Sequence, residues 1–245
     1  MDALYDKIGI GYAGLRKPDL RIAKLIHNGL GDTQSVLNVG AGTGSYEPSG
    51  RSLIAIEPSA EMIRQRPPSA ACVVQGVAER LPFADRTFDT AMAVLTIHHW
   101  SNLKEGLLEM RRVARGPLVI LTFDPNASYF WLKDYLPEIV LIDQPIMPQM
   151  DAYEQILGEV AITTVPIPHD CTDGFLGAYW RRPHAYHNPL VRSAISTFSK
   201  IDDPTPSLQR LEEDLQSGAW EERYGALMGE QKLDIGYRLV VAEAN

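Results

Sequence analysis

Short apolar segments alternate with amphipathic segments along the first two-thirds of the chain. The apolar segments are too short for helices and contain few polar residues, which is typical of strands buried on both faces of a parallel sheet. Strands that alternate with helices predict an α/β fold. The predicted strands are 36–40, 52–57, 71–75, 88–95 and 118–124.

Two of the intervening helices have clear start and stop signals. Asp19 can cap a helix that ends near Gly31. Asn102 and Glu105 have the spacing of a capping box at the start of a second helix, which Gly116 ends. The apolar positions are Ile22, Ala23, Ile26 and Leu30 in the first helix and Leu103, Leu107, Met110 and Ala114 in the second.

The last third of the chain departs from this alternation. A helical pattern over 152–157 and a strand pattern over 160–167 are followed by a polar, aromatic and mostly helical segment over 169–230. A final strand is predicted over 236–244. We therefore predict one sheet domain interrupted by a helical insertion. The sheet domain comprises 1–168 and 231–245, and the insertion comprises 169–230.

The composition excludes several classes of protein. Of the 245 residues, 45% are hydrophobic and 22% are charged, as in an ordinary globular protein. A net charge of −8 argues against a nucleic-acid partner. The longest strongly apolar stretch, 91–97, is far shorter than the roughly 20 residues that span a bilayer, and MDALYDKIGI is not a secretory signal. We expect no membrane association.

The two cysteines, Cys72 and Cys171, have no CxxC partner, which argues against a disulfide scaffold and favours a reducing, cytoplasmic location. His169, Asp170 and Asp173 flank the second cysteine and are metal-ligating residue types. Because no second ligand group lies at a helical or zinc-like spacing, we expect no metal site.

A glycine-rich segment follows the first predicted strand directly. In the sequence Gly40-Ala41-Gly42-Thr43-Gly44, the glycines permit a tight turn and a close approach of a ligand to the backbone. Glu57 ends the next strand, where a carboxylate can accept hydrogen bonds from both hydroxyls of a ribose. These residues predict a nucleotide or nucleoside site.

The residues after the glycines argue against a dinucleotide. Dinucleotide folds bind the pyrophosphate at the N-terminus of the helix that follows the glycines. Here Pro48 and Gly50 allow no helix longer than a turn, and Ser45 stands where GxGxxG would be completed. A nucleoside without phosphate, such as S-adenosylmethionine, needs no such helix.

With these motifs the chain resembles the class I S-adenosylmethionine-dependent methyltransferases of the small-molecule type, which include quinone-ring C-methyltransferases. The resemblance implies a Rossmann-like, seven-stranded and mostly parallel sheet with its last strand antiparallel. It also implies an enzyme that methylates a small molecule with S-adenosylmethionine as cofactor. The matching segments are VLNVGAGTG (36–44), AIEPSAEMI (55–63), GVAERLPFADRTFDTAMAVLTIHHW (76–100) and LLEMRRVARGPLVILTFDP (107–125).

The same resemblance implies the cofactor-binding residues. The glycines would line the methionine and ribose, Glu57 would hold the ribose hydroxyls, and the opening segment 5–19 would form a lid whose polar side chains reach the cofactor carboxylate. The complete set is Tyr12, Arg16, Gly40, Ala41, Gly42, Gly44, Glu57, Pro58, Met62, Val77, Ala78 and Leu95.

The sequence departs from the family pattern at several points. The connection between the first two strands is short, so we expect the first crossover helix to be nearly absent. Val77 stands where many members have an aspartate that accepts from the adenine amino group, which leaves Glu79, a carbonyl or water for that role. The usual Gly-Gly turn before the fifth strand is reduced to Arg115-Gly116-Pro117.

His98 and His99 are the candidate catalytic residues, because they follow the fourth strand, where open α/β sheets bind ligands. An oxygen acceptor needs a base such as histidine, whereas an amine or an electron-rich carbon needs less help. The (Asp/Asn)-Pro-Pro-(Tyr/Phe) signature of many enzymes that methylate planar nitrogens is absent, and LTIHHW stands in its place. This argues against DNA-adenine and glutamine-type substrates.

Aromatic and basic residues are concentrated in 174–200, within the part of the chain that the family uses to cover the acceptor pocket. This segment is either a lid with a substrate pocket or simple core packing. The candidate substrate-binding residues are Tyr5, Tyr179, Trp180 and Arg182. The alternative function is a non-enzymatic S-adenosylmethionine-binding regulatory or assembly protein, and the sequence is compatible with a monomer or a homodimer.

Overall fold

The computed structural model describes residues 14, 16–127 and 130–244. Its strands are β1 (Ser35–Val39), β2 (Ser52–Glu57), β3 (Cys72–Gln75), β4 (Thr90–Val94), β5 (Leu118–Phe123), β6 (Val160–Thr164), β7 (Ile167–Pro168), β8 (Lys232–Leu233) and β9 (Tyr237–Ala242). Seven of them form one sheet in the order β3-β2-β1-β4-β5-β9-β6. β9 runs antiparallel to both neighbours and the other pairs are parallel. The predicted α/β fold is confirmed.

The helices flank this sheet. They are α1 (Leu20–Gly29), α2 (Ala60–Arg64), α3 (Leu103–Val113), α4 (Leu132–Tyr135), α5 (Glu138–Asp143), α6 (Met150–Leu157), α7 (Pro189–Ser193), α8 (Thr205–Ser217) and α9 (Ala219–Tyr224). Short 3-10 helices span Ile97–His99, Pro183–His187, Ser196–Lys200 and Gly225–Gly229. Within the described ranges, no helix is long and apolar enough to cross a bilayer.

Local sequence signals set the ends of several elements. The Asp19 side chain accepts from the backbone of Arg21 and starts α1, and Asn102 does the same for α3 through the N–H of Glu105. The segment 40–51 between β1 and β2 is described throughout and contains only turns. The expected loss of the first crossover helix is therefore confirmed, and the end of β1 leads directly into an open loop.

Apolar side chains of the sheet are buried on both faces, because neighbouring residues of a strand point to opposite sides. In β1, Val36 belongs to one core cluster and Leu37 to the other. In β5, Val119 and Ile120 divide in the same way. Helices α3 and α6 cover the second face, whereas α1, α4, α5 and the insertion cover the first. Because both faces of the sheet are buried, the strand sequences are apolar almost throughout.

The two ends of the insertion lie side by side. β7 pairs antiparallel with β8, and the N–H of His169 donates to the carbonyl of Gln231 at 3.0 Å. Beyond this ribbon, Trp180, Tyr186 and Trp220 share one core cluster with the sheet and α1. The division of the chain into 1–168 with 231–245 and a separate unit 169–230 stays a prediction, and the insertion packs on the sheet through this common core.

Candidate active site

The glycine-rich loop turns sharply at the end of β1. The N–H groups of Gly40 and Ala41 both donate to the carbonyl of Ile56, each at 2.9 Å. Gly40 has φ +69°, and a Cβ there would collide with Oγ1 of Thr96 behind β4. Only glycine combines this backbone conformation with this contact. The loop is thereby held against the ends of β2 and β4.

Glu57 lies at the end of β2 and is buried, with 5% of the residue exposed. Its Oε2 accepts from the N–H of Gly42 at 2.7 Å, and its Oε1 accepts from the N–H of Ser59 at 2.9 Å. Both oxygens of a carboxylate accept hydrogen bonds, so Glu57 has the chemistry that ligand hydroxyls require. The two backbone bonds fix the direction of the side chain.

A buried ion pair between Arg66 and Glu47 contacts and stabilises the glycine loop. Nη2 of Arg66 donates to Oε1 of Glu47 at 2.6 Å, with 5% and 9% of the two side chains exposed. The same guanidinium donates to the carbonyl of Gly42 at 3.0 Å, while the carboxylate accepts from the N–H of Ala71 at 3.0 Å and from Nδ2 of Asn38 at 3.2 Å. The sequence does not predict this pair, because neither residue lies in a recognisable motif.

A cavity of about 430 Å³ opens at the carboxyl ends of β1, β2, β3 and β4. β1 and β4 are adjacent but their chain connections leave in opposite directions, which is the point where open α/β sheets bind ligands. Ten of the residues predicted for the cofactor line it: Arg16, Gly40, Ala41, Gly42, Glu57, Pro58, Met62, Val77, Ala78 and Leu95. Gly44 does not line it, and Tyr12 lies outside the described residues.

Further residues of the wall were not predicted, among them Asn38 and Tyr46, whereas Glu79, a candidate for the adenine amino group, also lines it. Oδ1 of Asn38 is buried and has no hydrogen-bond partner within the described part of the chain. Such an atom normally requires a partner, so this end of the cavity fits a ligand that carries a donor. Burial raises the pKa of Glu79, but hydrogen bonds from Ser101 and Asn102 outweigh it and lower that pKa overall.

A network of charged and phenolic groups joins the insertion to the glycine loop. Nε of Arg16 donates to Oδ1 of Asp173 at 2.5 Å, and the hydroxyl of Tyr46 donates to Oδ2 of the same carboxylate at 2.8 Å. Asp173 is 1% exposed and belongs to the insertion. The guanidinium predicted to meet the cofactor carboxylate is thus already oriented by a carboxylate more than half the chain away.

His98 and His99 occupy the 3-10 helix that follows β4, and Leu95 in the connection to it has a φ of +52°. Their rings lie 3.9 Å apart between centroids and face different spaces. His99 lines the large cavity. His98 lines a second cavity of about 50 Å³, which shares Arg16 and Leu95 with the first. The backbone conformation of Leu95 is sparsely populated for a residue with a side chain and is typical of functional sites.

Both histidines are neutral at pH 7. Burial, followed by electrostatic interaction with His99, Lys200 and Arg16, holds the pKa of His98 well below its usual value. Burial, then Lys200 and Arg16, lowers the pKa of His99 to about 4. Neutral imidazoles can accept a proton, although a lower pKa makes each a weaker base.

These shifted pKa values predict a pH dependence of stability. An unfolded histidine has a pKa near 6.5, so between about pH 4 and 6.5 the unfolded chain binds more protons than the folded chain at these two positions. The free energy of unfolding must therefore fall as pH is lowered through this window. Urea denaturation of wild type and of the His98→Asn/His99→Asn variant measures it.

Burial raises the pKa of Asp143 to about 6, so protonation of Asp143 increases the free energy of unfolding as pH is lowered. Because both proteins contain Asp143, the difference between their free energies of unfolding reports the histidines. We expect the wild type to lose more stability than the variant between pH 6.5 and 4. Parallel curves for the two proteins would show that the histidines titrate normally in the folded state.

The predicted substrate-binding residues of the insertion, Tyr179, Trp180 and Arg182, do not line either cavity. Trp180 is 0% exposed, and its Nε1 donates to the carbonyl of Ile167 at 3.0 Å, so it is a core residue and not a cavity wall. Arg182 lies over the ring of Tyr179 and donates to the carbonyls of Cys171 and Ala178. Tyr5 lies outside the described residues. The insertion instead reaches the second cavity through other residues, which include Phe175, Leu176, Ala194, Ile195, Ser196 and Thr197.

The acidic residues on either side of Cys171 form ion pairs with arginines. Asp170 pairs with Arg21 at 2.7 Å, and Asp173 pairs with Arg16. Burial raises the pKa of the Cys171 thiol to about 12, although a backbone hydrogen bond at Asp173 and the charge of Arg182 oppose it. Within the ranges that the structure describes, no group of His, Cys, Asp and Glu side chains converges as metal ligands do.

The chain is similar to known methyltransferases in sequence and structure. Residues 37–118 match the family model described as a methyltransferase domain. A demethylmenaquinone methyltransferase of Mycolicibacterium paratuberculosis is 30% identical over 162 residues, which cover 62% of this chain and 70% of the relative. A 2-methyl-6-phytyl-1,4-hydroquinone methyltransferase of rice, Oryza sativa subsp. japonica, is 21% identical over 202 residues, which cover 78% of this chain and 57% of that protein.

A solved structure matches this chain along almost the whole length of both proteins. It is a protein of Anabaena variabilis described as a methyltransferase from an antibiotic biosynthesis pathway. The two chains are 34% identical, with a TM-score of 0.88, and the match covers 93% of this chain and 98% of the other. The likeness therefore extends through the insertion as well as the sheet.

Proposed function

Because the chain belongs to the class I S-adenosylmethionine-dependent methyltransferases, we propose that it methylates a small molecule bound between the glycine loop and the insertion. Two adjoining cavities at the carboxyl edge of the sheet carry this proposal, since one contains Glu57 and the glycines and the other contains His98. The relatives named for quinone methylation support a small, ring-containing acceptor.

The larger cavity fits S-adenosylmethionine. The buried carboxylate of Glu57 can accept from two ribose hydroxyls, and the unpartnered Oδ1 of Asn38 can accept from an ammonium. Arg16 supplies a positive charge for the carboxylate of the cofactor, and Met62 supplies an apolar surface for the adenine. When bound, this cofactor supplies a methyl group on an electron-poor sulfonium.

The chain's own contribution is positioning and exclusion of water, because an activated methyl group needs little further help. Asp173, which accepts a hydrogen bond from Tyr46, orients Arg16 in the wall shared by the two cavities. His98 faces the second cavity as a neutral imidazole, and it can accept the proton of a hydroxyl acceptor there. His99 faces the first cavity, where it contributes to the cofactor's surroundings.

Glu57→Ala is expected to weaken S-adenosylhomocysteine binding by about 1–3 kcal/mol, the energy of hydrogen bonds from two hydroxyls to a buried carboxylate. Titration calorimetry measures the loss. Glu159→Ala, at an exposed glutamate, is the control and should bind as the wild type does. An unchanged affinity in a folded Glu57→Ala variant would remove this carboxylate from the site.

His98→Ala and His99→Ala should separate turnover from cofactor affinity. For a hydroxyl acceptor, His98→Ala is expected to lower kcat by roughly 10²–10⁴-fold while leaving the cofactor affinity unchanged, because it removes a general base. His99→Ala should instead weaken cofactor binding. A screen of methyl transfer to phenols, amines and carboxylates provides the activity, and a fully active His98→Ala variant would show that no base is needed at this position.

A further inference from the structure

The second cavity is small, and polar and apolar groups share its wall. About 50 Å³ is space for a few water molecules, since one occupies roughly 10–15 Å³ of such space. It therefore admits one functional group of a ligand and not a whole ring. Because Leu95 and Arg16 line both cavities, a group seated here stays next to the cofactor cavity.

Asp143 is the acidic group in this wall. It ends α5, is 3% exposed and accepts from Oγ1 of Thr197 at 2.9 and 3.0 Å. Within the described part of the chain, this hydroxyl is its only hydrogen-bond donor. Burial raises its pKa to about 6, although Thr197 and Lys200 oppose the shift, so the group is a carboxylate at neutral pH and above. A carboxylate only accepts hydrogen bonds, and two oxygens hold more acceptor sites than one hydroxyl fills.

The remaining wall includes aromatic surface and polar groups that already have partners. Phe123 and Phe175 contribute aromatic surface, and the hydroxyl of Tyr237 already donates to the carbonyl of Leu176 at 2.7 Å. The guanidinium of Arg16 is ion-paired with Asp173. An anionic group placed here would lie beside the buried carboxylate of Asp143, and the repulsion between the two like charges is costly.

We propose that Asp143 selects methyl acceptors that present a hydroxyl or an amino group to the second cavity, where that group donates a hydrogen bond to the carboxylate. The inference rests on the proposed function and deepens it, since it names the chemistry of the acceptor. His98 lies in the wall of the same cavity and faces the same group. Carboxylate-bearing acceptors are excluded from this position by charge.

Ligand-detected NMR with four monosubstituted benzenes tests the proposal on the whole chain saturated with S-adenosylhomocysteine. Phenol and aniline carry a donor, anisole does not, and benzoate is an anion. We expect phenol or aniline to bind roughly tenfold more tightly than anisole and benzoate, as expected for a hydrogen bond to a charged group. The tighter of phenol and aniline then identifies a hydroxyl or an amino acceptor.

Asp143→Asn should remove this preference, because an amide also donates and carries no charge. Asp202→Asn, at an exposed aspartate, should retain it. Anisole or benzoate binding to the wild type as tightly as phenol and aniline, or an unchanged preference in Asp143→Asn, would overturn the proposal. If Asp143→Asn does not fold, the wild-type series decides alone. Failure of S-adenosylhomocysteine itself to bind would contradict the proposed function instead.

Discussion

Gly40→Ala is expected to abolish S-adenosylmethionine binding and to lower the free energy of unfolding by about 2–5 kcal/mol. The backbone at this position has φ +69°, which costs a residue with a Cβ about 1–2 kcal/mol. The new methyl group would also overlap Oγ1 of Thr96 and approach its Cβ and Cγ2 to 2.8 Å. Overpacking of this kind costs about 1–3 kcal/mol. The glycine loop, which lines the cavity, would have to shift to remove the overlap with Thr96.

Gly31→Ala is the matched control for this prediction. Gly31 has a similar φ of +59°, but no atom of the residues that the structure describes lies within 4 Å of a Cβ placed there. It should therefore cost only the backbone term of about 1–2 kcal/mol and leave calorimetric binding of S-adenosylhomocysteine unchanged. Equal effects of the two substitutions on binding would show that the contact with Thr96 does not shape the site.

Arg66→Met should destabilise the protein by about 3–5 kcal/mol, the usual cost of leaving a buried charge without its partner. The charge left behind is the carboxylate of Glu47, which is 9% exposed at the side chain. Since the same guanidinium holds the carbonyl of Gly42, cofactor affinity should fall as well. Urea denaturation and calorimetry on one preparation measure both effects.

Arg64→Met provides the comparison, two residues earlier. Arg64 pairs with Glu61 at 2.5 Å, but 67% of its side chain is exposed. Exposed pairs are worth about 0–1 kcal/mol, so this variant should differ little from the wild type. Adding Glu47→Met to Arg66→Met should recover part of the stability, because no buried charge then remains unpaired. Similar losses for Arg64→Met and Arg66→Met would refute the role of the buried pair.

Elements with local signals could be predicted from the sequence. Asp19 and Asn102 marked the starts of α1 and α3 because N-capping depends on residues only two or three positions away. The open connection after β1 followed from Pro48 and Gly50 for the same reason. The glycine loop and Glu57 were placed at one edge because the carboxyl ends of adjacent parallel strands meet there.

Contacts between distant parts of the chain could not be predicted in this way. Nothing near Arg16 indicates that Asp173 will orient it, and nothing near Asp143 indicates that the insertion will enclose it with Thr197. Trp180 shows the same limit, because an aromatic segment has one pattern whether its rings line a pocket or fill the core. The polar chemistry of the second cavity therefore emerged only from the tertiary structure.

The central claim is that the cavity behind the glycine loop holds S-adenosylmethionine and not a dinucleotide. Titration calorimetry of the wild type with S-adenosylmethionine and, separately, with NAD tests it most directly. We predict saturable binding of S-adenosylmethionine with one site per chain and no binding of NAD at comparable concentration, because turns at 40–51 replace the helix that would receive a pyrophosphate. Tight binding of NAD, or no binding of S-adenosylmethionine to the folded protein, would contradict the account.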